Sequence, residues 1–258
     1  MPYYYKRPTG SIYTLYNNML NETHLLLAGA TGAGKSTVLN AIICTALHYS
    51  PSEKQFIFLD AKGTELDAYR STPHCILYAE TDADMIQALQ YAINLMYERE
   101  AETKHQHVKT YPGGDVYIII DELADLMTTQ RKAVTPLLQR IGIRARASRI
   151  HLICCTQSPL RTIIPTEIKC NLPARVALKT ATAQDSRNII DMRGAELLPD
   201  PATEHRASCY YRHGAITELY EGLPRIPDAE RARLIEYWRT AHKHFCARPI
   251  DIRTARAI

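Results

Sequence analysis

The sequence predicts an α/β protein built on a mostly parallel, twisted sheet flanked by helices. Three observations predict it. The stretch Gly29-Ala30-Thr31-Gly32-Ala33-Gly34-Lys35-Ser36-Thr37 lies between an apolar run, His24 to Ala28, and an apolar-faced segment, Val38 to Leu47. That is the order strand, glycine-rich loop, helix. Gln55 to Asp60 is a second apolar run ending in an acid, which completes a βαβ unit and implies parallel pairing. Val116 to Glu122 is a third, aliphatic until it closes on Asp121-Glu122.

The remaining elements follow in order. Residues 1–20, rich in tyrosine, read as an entry segment beside the first strand. Ser50-Pro51 marks a turn before the second strand, and Cys75 to Tyr78 is a short apolar stretch. Thr81 and Asp84 form a capping box that opens a helix to about Glu102. Met85, Ile86, Leu89, Ile93 and Met96 fall within about 100° of arc on it. Arg99 projects just beyond that arc, as a solvated flank or toward a neighbouring subunit. Thr103 to Gly114 is a polar loop with Lys104, His105, His107 and Lys109. A basic helical region from about Arg131 to Arg146 leads to the strand Ile150–Thr156, with Gln157 at its carboxyl end. Pro173–Leu178 is a strand, Asp185–Asp191 a short helix, and Ser208–Tyr211 and Ile216–Tyr220 two short strands. Pro227 and Asp228 start a last helix with Leu234, Ile235, Trp238, Ala241 and Phe245 on one face, and the residues after about Arg248 read as frayed.

The glycines of the first loop let the backbone wrap an anion with its amides turned inward, and the following helix adds a partial positive charge. In that pattern Lys35 reaches the β- and γ-phosphates and Ser36 ligates Mg²⁺. Asp121 would hold the same ion through its water shell, and Glu122 would orient and polarise the attacking water. Ligand crevices in such sheets lie at the carboxyl ends of strands, so Gln157 either touches the γ-phosphate or its water or simply starts a Gln-Ser-Pro turn.

Bulk properties narrow the class. The chain has 258 residues, 46% hydrophobic and 22% charged, enough for one α/β domain with appendages. No apolar run approaches the roughly 20 residues of a membrane span, and Met1 to Lys6 lacks a signal-peptide core. A cytoplasmic location is the expectation. The seven cysteines show no metal-ligand spacing and read as small core hydrophobes; the ten histidines do not cluster. Net charge is only +4, but no acid lies between Asp125 and Glu167, an interval carrying Arg131, Lys132, Arg140, Arg144, Arg146, Arg149 and Arg161. From Arg231 onward six arginines and one lysine face only Glu236 and Asp251. Such excess suits a polyanion or a solvated face.

Taken in order, the motifs resemble those of the FtsK/SpoIIIE DNA-translocating motors, RecA-like P-loop ATPases. The matching pieces are His24–Gly29 into the loop, Leu59-Asp60-Ala61-Lys62 with Glu65-Leu66, Ile120-Asp121-Glu122-Leu123-Ala124-Asp125-Leu126-Met127, Ile150–Ile153 with Thr156-Gln157, Leu172–Val176, and Asp185–Asp191. The resemblance runs from about residue 22 to 222. It implies a homo-oligomeric, hexameric ring that hydrolyses ATP with Mg²⁺ at subunit interfaces and pulls double-stranded DNA through its pore. It makes Gln157 the γ-phosphate sensor and Arg99, in Met96-Tyr97-Glu98-Arg99, the candidate arginine finger acting in trans, with Arg187 the runner-up. It places pore loops at Thr103–Gly114 and Thr128–Ala133, so that Lys104, Lys109, Arg131 and Lys132 would meet DNA phosphates. The expected division is an entry segment, 1–20, a motor domain, 21–224, and a C-terminal helix with a basic tail, 225–258.

The chain departs from the family pattern in having no membrane-spanning N-terminus, long linker, or room for a winged-helix domain. A compact motor of a plasmid or integrative/conjugative element, with a relaxase as a possible partner, fits better than a septal one. A secretion-type ATPase moving protein and a nucleotide-dependent assembly module are the alternatives.

Overall fold

The computed structural model describes residues 11–159, 164–204 and 206–241. The N-terminal decapeptide, Arg161, Phe245, Cys246 and the basic tail lie outside the described residues.

Eight strands form one sheet in the order β3-β2-β4-β5-β1-β6-β7-β8. They are β1 (His24–Ala28), β2 (Lys54–Leu59), β3 (Cys75–Ala79), β4 (Asp115–Ile120), β5 (Ile150–Thr156), β6 (Ala174–Ala177), β7 (Cys209–His213) and β8 (Ile216–Tyr220). The first six pair in parallel, while β7 and β8 add an antiparallel hairpin at one edge. The parallel strands are apolar on both faces because helices cover both. Leu25, Leu27, Phe58, Ile119 and Cys155 face one layer; Leu26, Ile57, Ile118, Ile120 and Cys154 face the other. Five cysteines (44, 75, 154, 155 and 209) are buried and Cys170 is exposed, all as free thiols.

The first layer holds α1 (Ser11–Asn21), α2 (Lys35–Ala46) and α9 (Asp228–Ala241). The expected entry segment is thus helical, and its Leu15, Tyr16, Met19 and Leu20 are buried in the same cluster as the sheet. Trp238 of α9 is 1% exposed, and its indole N–H donates to Leu47 O (2.7 Å), satisfying a carbonyl that α2 leaves open at its end. The second layer holds α3 (Asp82–His105), α4 (Leu123–Thr129), α5 (Arg131–Arg144), α6 (Thr166–Lys169) and α7 (Ala183–Ile190); α8 (Pro201–Glu204) is a single turn. Thr81 caps α3 by accepting from Asp84 N, as its spacing predicts. The helix runs on to His105, shortening the expected loop. The expected turn at Thr128–Ala133 is largely helical: α4 and α5 meet at Gln130, whose amide donates to Asp82 on α3 (3.1 Å).

Candidate active site

Four of the six parallel strands hand over to a candidate functional residue at their carboxyl ends. Gly29 follows β1, Asp60 follows β2, Asp121 and Glu122 follow β4, and Gln157 follows β5. The first of these loops is drawn tight: Gly29 N donates to Thr156 O (3.3 Å) and Ala30 N to Lys179 O (2.8 Å). Gly34 sits at φ 97°, where an L side chain is strained, and a Cβ there would lie 2.7 Å from the Ala207 Cβ. A Cβ on Gly29 would meet the Leu178 Cβ at 2.7 Å. Val38 is the first residue of α2 to bond back along the helix, to Gly34 O, so the amides of Lys35, Ser36 and Thr37 at the helix start are open to an anion. Thr31, Thr37, Gly32 and Ala33 complete the turn.

Lys35 is 7% exposed, and its ammonium donates to Asp121 O (2.7 Å) and Asp121 Oδ1 (3.1 Å), with Glu122 Oε2 at 4.0 Å. Burial works against that charge, yet Cys155, Asp121 and Glu122 around it hold the Lys35 pKa above its ordinary value, while burial pushes the Cys155 thiol well up. Glu122 caps α4 by accepting from Ala124 N (3.2 Å), and its carboxylate also accepts from Gln157 N (3.0 Å). Thr31 Oγ1 donates to Gln157 Oε1 (2.7 Å), which lays the Gln157 side chain against the phosphate loop. Lys35, Asp121, Glu122 and Gln157 therefore come together around one loop.

One member of the cluster was given no role from sequence. Ser36 Oγ donates to Glu65 Oε1 (2.8 Å), placing a third carboxylate at the position from which Ser36 would hold a cation. Glu65 is aimed by its loop. Asp60, fully buried, accepts from Lys62 N (3.2 Å) and Gly63 N (3.0 Å) on one oxygen and from Leu66 N (3.0 Å) and Tyr78 OH (3.0 Å) on the other. An acid at a strand end, five residues before another acid, was the available signal. Ser36, Glu65 and Asp121 are hard oxygen donors of the kind Mg²⁺ prefers, so the donor set fits that ion. The glycine-lined loop, leading into the open amides at the start of α2, fits a polyphosphate.

Arg99 requires correction. It is neither a solvated flank nor directed at a neighbour: it is 7% exposed, and Nη1 donates to Gly114 O (3.0 Å), Ser148 O (2.9 Å) and Arg149 O (3.3 Å). Its guanidinium lies 4.4 Å from the centre of the Tyr111 ring. These carbonyls precede β4 and β5, so Arg99 works at the amino edge of the sheet, opposite the phosphate loop. Arg187 is exposed on α7, where Nη1 donates to Gln184 Oε1 (3.5 Å), and among the described residues it makes no hydrogen bond to the phosphate loop.

The four DNA candidates are all exposed, yet they divide between the two edges. Lys104, in the last turn of α3, and Lys109, just after it, lie at the amino edge, whereas Arg131 and Lys132 open α5 at the carboxyl edge beside Asp82. The 24 residues of α3, about 36 Å of helix, separate the two pairs. The acid-free interval is also less positive in space than in sequence. Arg144 pairs with Glu100 (2.7 Å) and Arg149 with Asp115 (2.7 Å).

Comparison with known proteins fits this geometry. The FtsK/SpoIIIE family model matches residues 9–116 and 112–160, and the chain belongs to that family. It is 37% identical over 196 residues to the DNA translocase SpoIIIE of Bacillus subtilis, an alignment covering 68% of this chain and 25% of that protein. To the DNA translocase FtsK of Leptospira interrogans serovar Lai it is 40% identical over 194 residues, covering 68% and 20%. The chain thus spans about a quarter of the curated relatives it matches. The fold is that of RecA-like P-loop ATPases. The pCW3 conjugation coupling protein TcpA, solved with ATPγS, superposes with a TM-score of 0.72 at 20% identity over 85% of this chain and 66% of that one. The cytoplasmic domain of the type VII secretion ATPase EccC from Thermomonospora curvata gives 0.68 at 19% identity, covering 84% and 28%.

Proposed function

We propose that this chain is the ATP-hydrolysing motor of a double-stranded DNA translocase, working as a homo-oligomeric, hexameric ring. The observation that carries the reading is the convergence of Lys35, Asp121, Glu122 and Gln157 on one glycine-rich loop in a chain of the FtsK/SpoIIIE family. ATP phosphates would occupy the loop, with Lys35 leaving Asp121 to neutralise their charge. Mg²⁺, held by Ser36 and the carboxylate of Asp121, would offset the charge of the β- and γ-phosphates. Glu122 is already oriented by the Ala124 and Gln157 amides and keeps lone pairs with which to polarise a water. Gln157, hydrogen-bonded to Thr31 on the loop, would sense the γ-phosphate.

The arginine acting in trans is Arg187 on this reading, because Arg99 is committed to its own chain. Lys104 and Lys109 at one edge, and Arg131 and Lys132 at the other, would contact DNA phosphates without reading bases. Relatives at 36–40% identity are DNA translocases, which favours DNA over the protein substrates of a secretion motor. Likeness to a conjugation coupling protein supports work on a plasmid or integrative element, in the cytoplasm and with a relaxase as partner.

The test is the ATPase rate with and without long double-stranded DNA, at low and high salt. Stimulation by DNA that fades with salt is the expected outcome. Turnover indifferent to DNA would favour the secretion motor, and no turnover an assembly module.

A further inference from the structure

Glu65 differs from the other carboxylates of the phosphate-loop cluster in what holds it. Asp121 pairs with Lys35 (3.1 Å), and Glu122 accepts from the Ala124 and Gln157 amides. Glu65 accepts from a neutral donor, the Ser36 hydroxyl (2.8 Å), and among the described residues no lysine, arginine or histidine pairs with it. It is half-buried and lines the same cleft as Ser36 and Thr37. The two arginines of that cleft are drawn to another acid, since Asp228 pairs with Arg225 (2.5 Å) and Arg231 (3.6 Å). Around Lys35 and Ser36 one ammonium therefore stands against three carboxylates, those of Asp121, Glu122 and Glu65.

The backbone that carries Glu65 is also fixed. Buried Asp60 accepts from the amides of Lys62, Gly63 and Leu66, and Leu66 itself is 1% exposed. A carboxylate on such a loop does not retreat readily when a second negative charge arrives.

We propose that Glu65 makes the site selective for nucleotide that carries a divalent cation. The inference rests on the ATPase reading above and adds the residue that decides which form of the nucleotide enters. Phosphates at the start of α2 would lie against Ser36, and the carboxylate bonded to that hydroxyl would meet them with a like charge. In a half-buried cleft such repulsion is screened less than in open water. With a divalent cation the sign reverses, because Glu65 then offers a hard, charged oxygen beside the donors Ser36 and Asp121. Lys35 makes no such distinction, since its charge favours phosphates with or without the cation.

The experiment measures binding, not turnover, on the full chain. Affinity for the non-hydrolysable analogue AMP-PNP is measured in excess Mg²⁺ and in EDTA, for the wild type, Glu65→Gln and Asp125→Asn. Asp125 is an exposed acid of the same region, paired with Lys62 (3.7 Å), and controls for the mere loss of a negative charge. Glu65→Gln should bind about tenfold or more tightly than the wild type in EDTA, with no gain in Mg²⁺. Asp125→Asn should keep the wild-type ratio of the two affinities within twofold. An unchanged ratio in Glu65→Gln, an equal gain under both conditions, or the same shift in Asp125→Asn would overturn the role of Glu65 while leaving the phosphate loop intact. A wild type that binds equally well in Mg²⁺ and in EDTA would overturn it without recourse to any variant. Failure of the wild type to bind under either condition would remove the ATPase reading itself, and this selectivity with it.

Discussion

The two edges of the parallel sheet are both rich in buried charge, and they use it in opposite ways. At the amino edge Asp115 accepts from Lys54 (2.7 Å), from Arg149 on both oxygens (2.7 and 2.9 Å) and from His151 (3.2 Å), while Arg99 satisfies three carbonyls. Burial opposes ionisation of Asp115, but its hydrogen bonds to His151, Arg149 and Lys54 outweigh it and hold the carboxyl far below the usual range. Every strong group there has a partner that only folding supplies. At the carboxyl edge Lys35, Ser36, Asp121, Glu65 and Glu122 hold one another through contacts that phosphates and a cation are chemically suited to take over. Buried charge alone therefore does not mark a site. A site is marked by charge whose present partners a ligand can replace.

The comparison breaks most sharply under substitution of the carboxyl edge. Glu122→Gln should leave ATP binding intact and slow turnover by about a hundredfold or more, whereas Lys35→Ala should remove binding itself. Equilibrium binding of a fluorescent ATP analogue beside single-turnover hydrolysis separates the two. Normal hydrolysis in the glutamine variant would show that Glu122 is not the base.

Asp115→Asn is the counterpart at the other edge. Leaving Lys54 and Arg149 without their carboxylate should cost about 3–5 kcal/mol of stability, read by urea denaturation. ATP affinity of the folded protein should remain within twofold. A loss of affinity at unchanged stability would erase the distinction between the edges.

Arg99→Ala should destabilise by about 1–3 kcal/mol by orphaning buried carbonyls, with partial rescue by lysine. In mixtures of wild-type and Arg99→Ala chains, activity should follow mutant content in proportion. A steeper loss would restore Arg99 as a residue acting across the interface.

A pH slope tests the amino edge as well. His24 is 1% exposed, and its Nδ1 accepts from Leu152 N (2.9 Å). Burial, with the neighbouring His151, lowers its pKa to about 3. The unfolded chain takes up this proton near pH 6.5 and the folded chain does not, so stability should fall as pH drops from about 6.5 toward 3. His24→Asn keeps an acceptor for Leu152 and should flatten that slope in thermal melts; an unchanged slope would assign it to other groups.

What was legible in the sequence was local. The phosphate loop, the acids closing β2 and β4, and the N-cap at Thr81, though without the reciprocal half of a capping box, are patterns whose geometry follows from neighbouring residues. Arg99 was misread because its surroundings come from the 106–114 loop and the start of β5, which no helical periodicity reports. The seven-residue helix α4 escaped notice because it begins immediately after a strand, on the cap of a residue already claimed for chemistry, Glu122. Glu65 could be matched as a motif but not given a role, since its approach to Ser36 needs the whole loop folded around Asp60.

That loop around Asp60 bears on how the protein tolerates change. Both carboxylate oxygens of Asp60 are engaged, and its four hydrogen bonds fix the stretch that carries Glu65. Substitution there would spare every residue with chemistry of its own and still displace one of them. The positions that variation must leave alone consequently extend a layer inward from the site, to residues whose whole contribution is to make a short piece of backbone hold one shape.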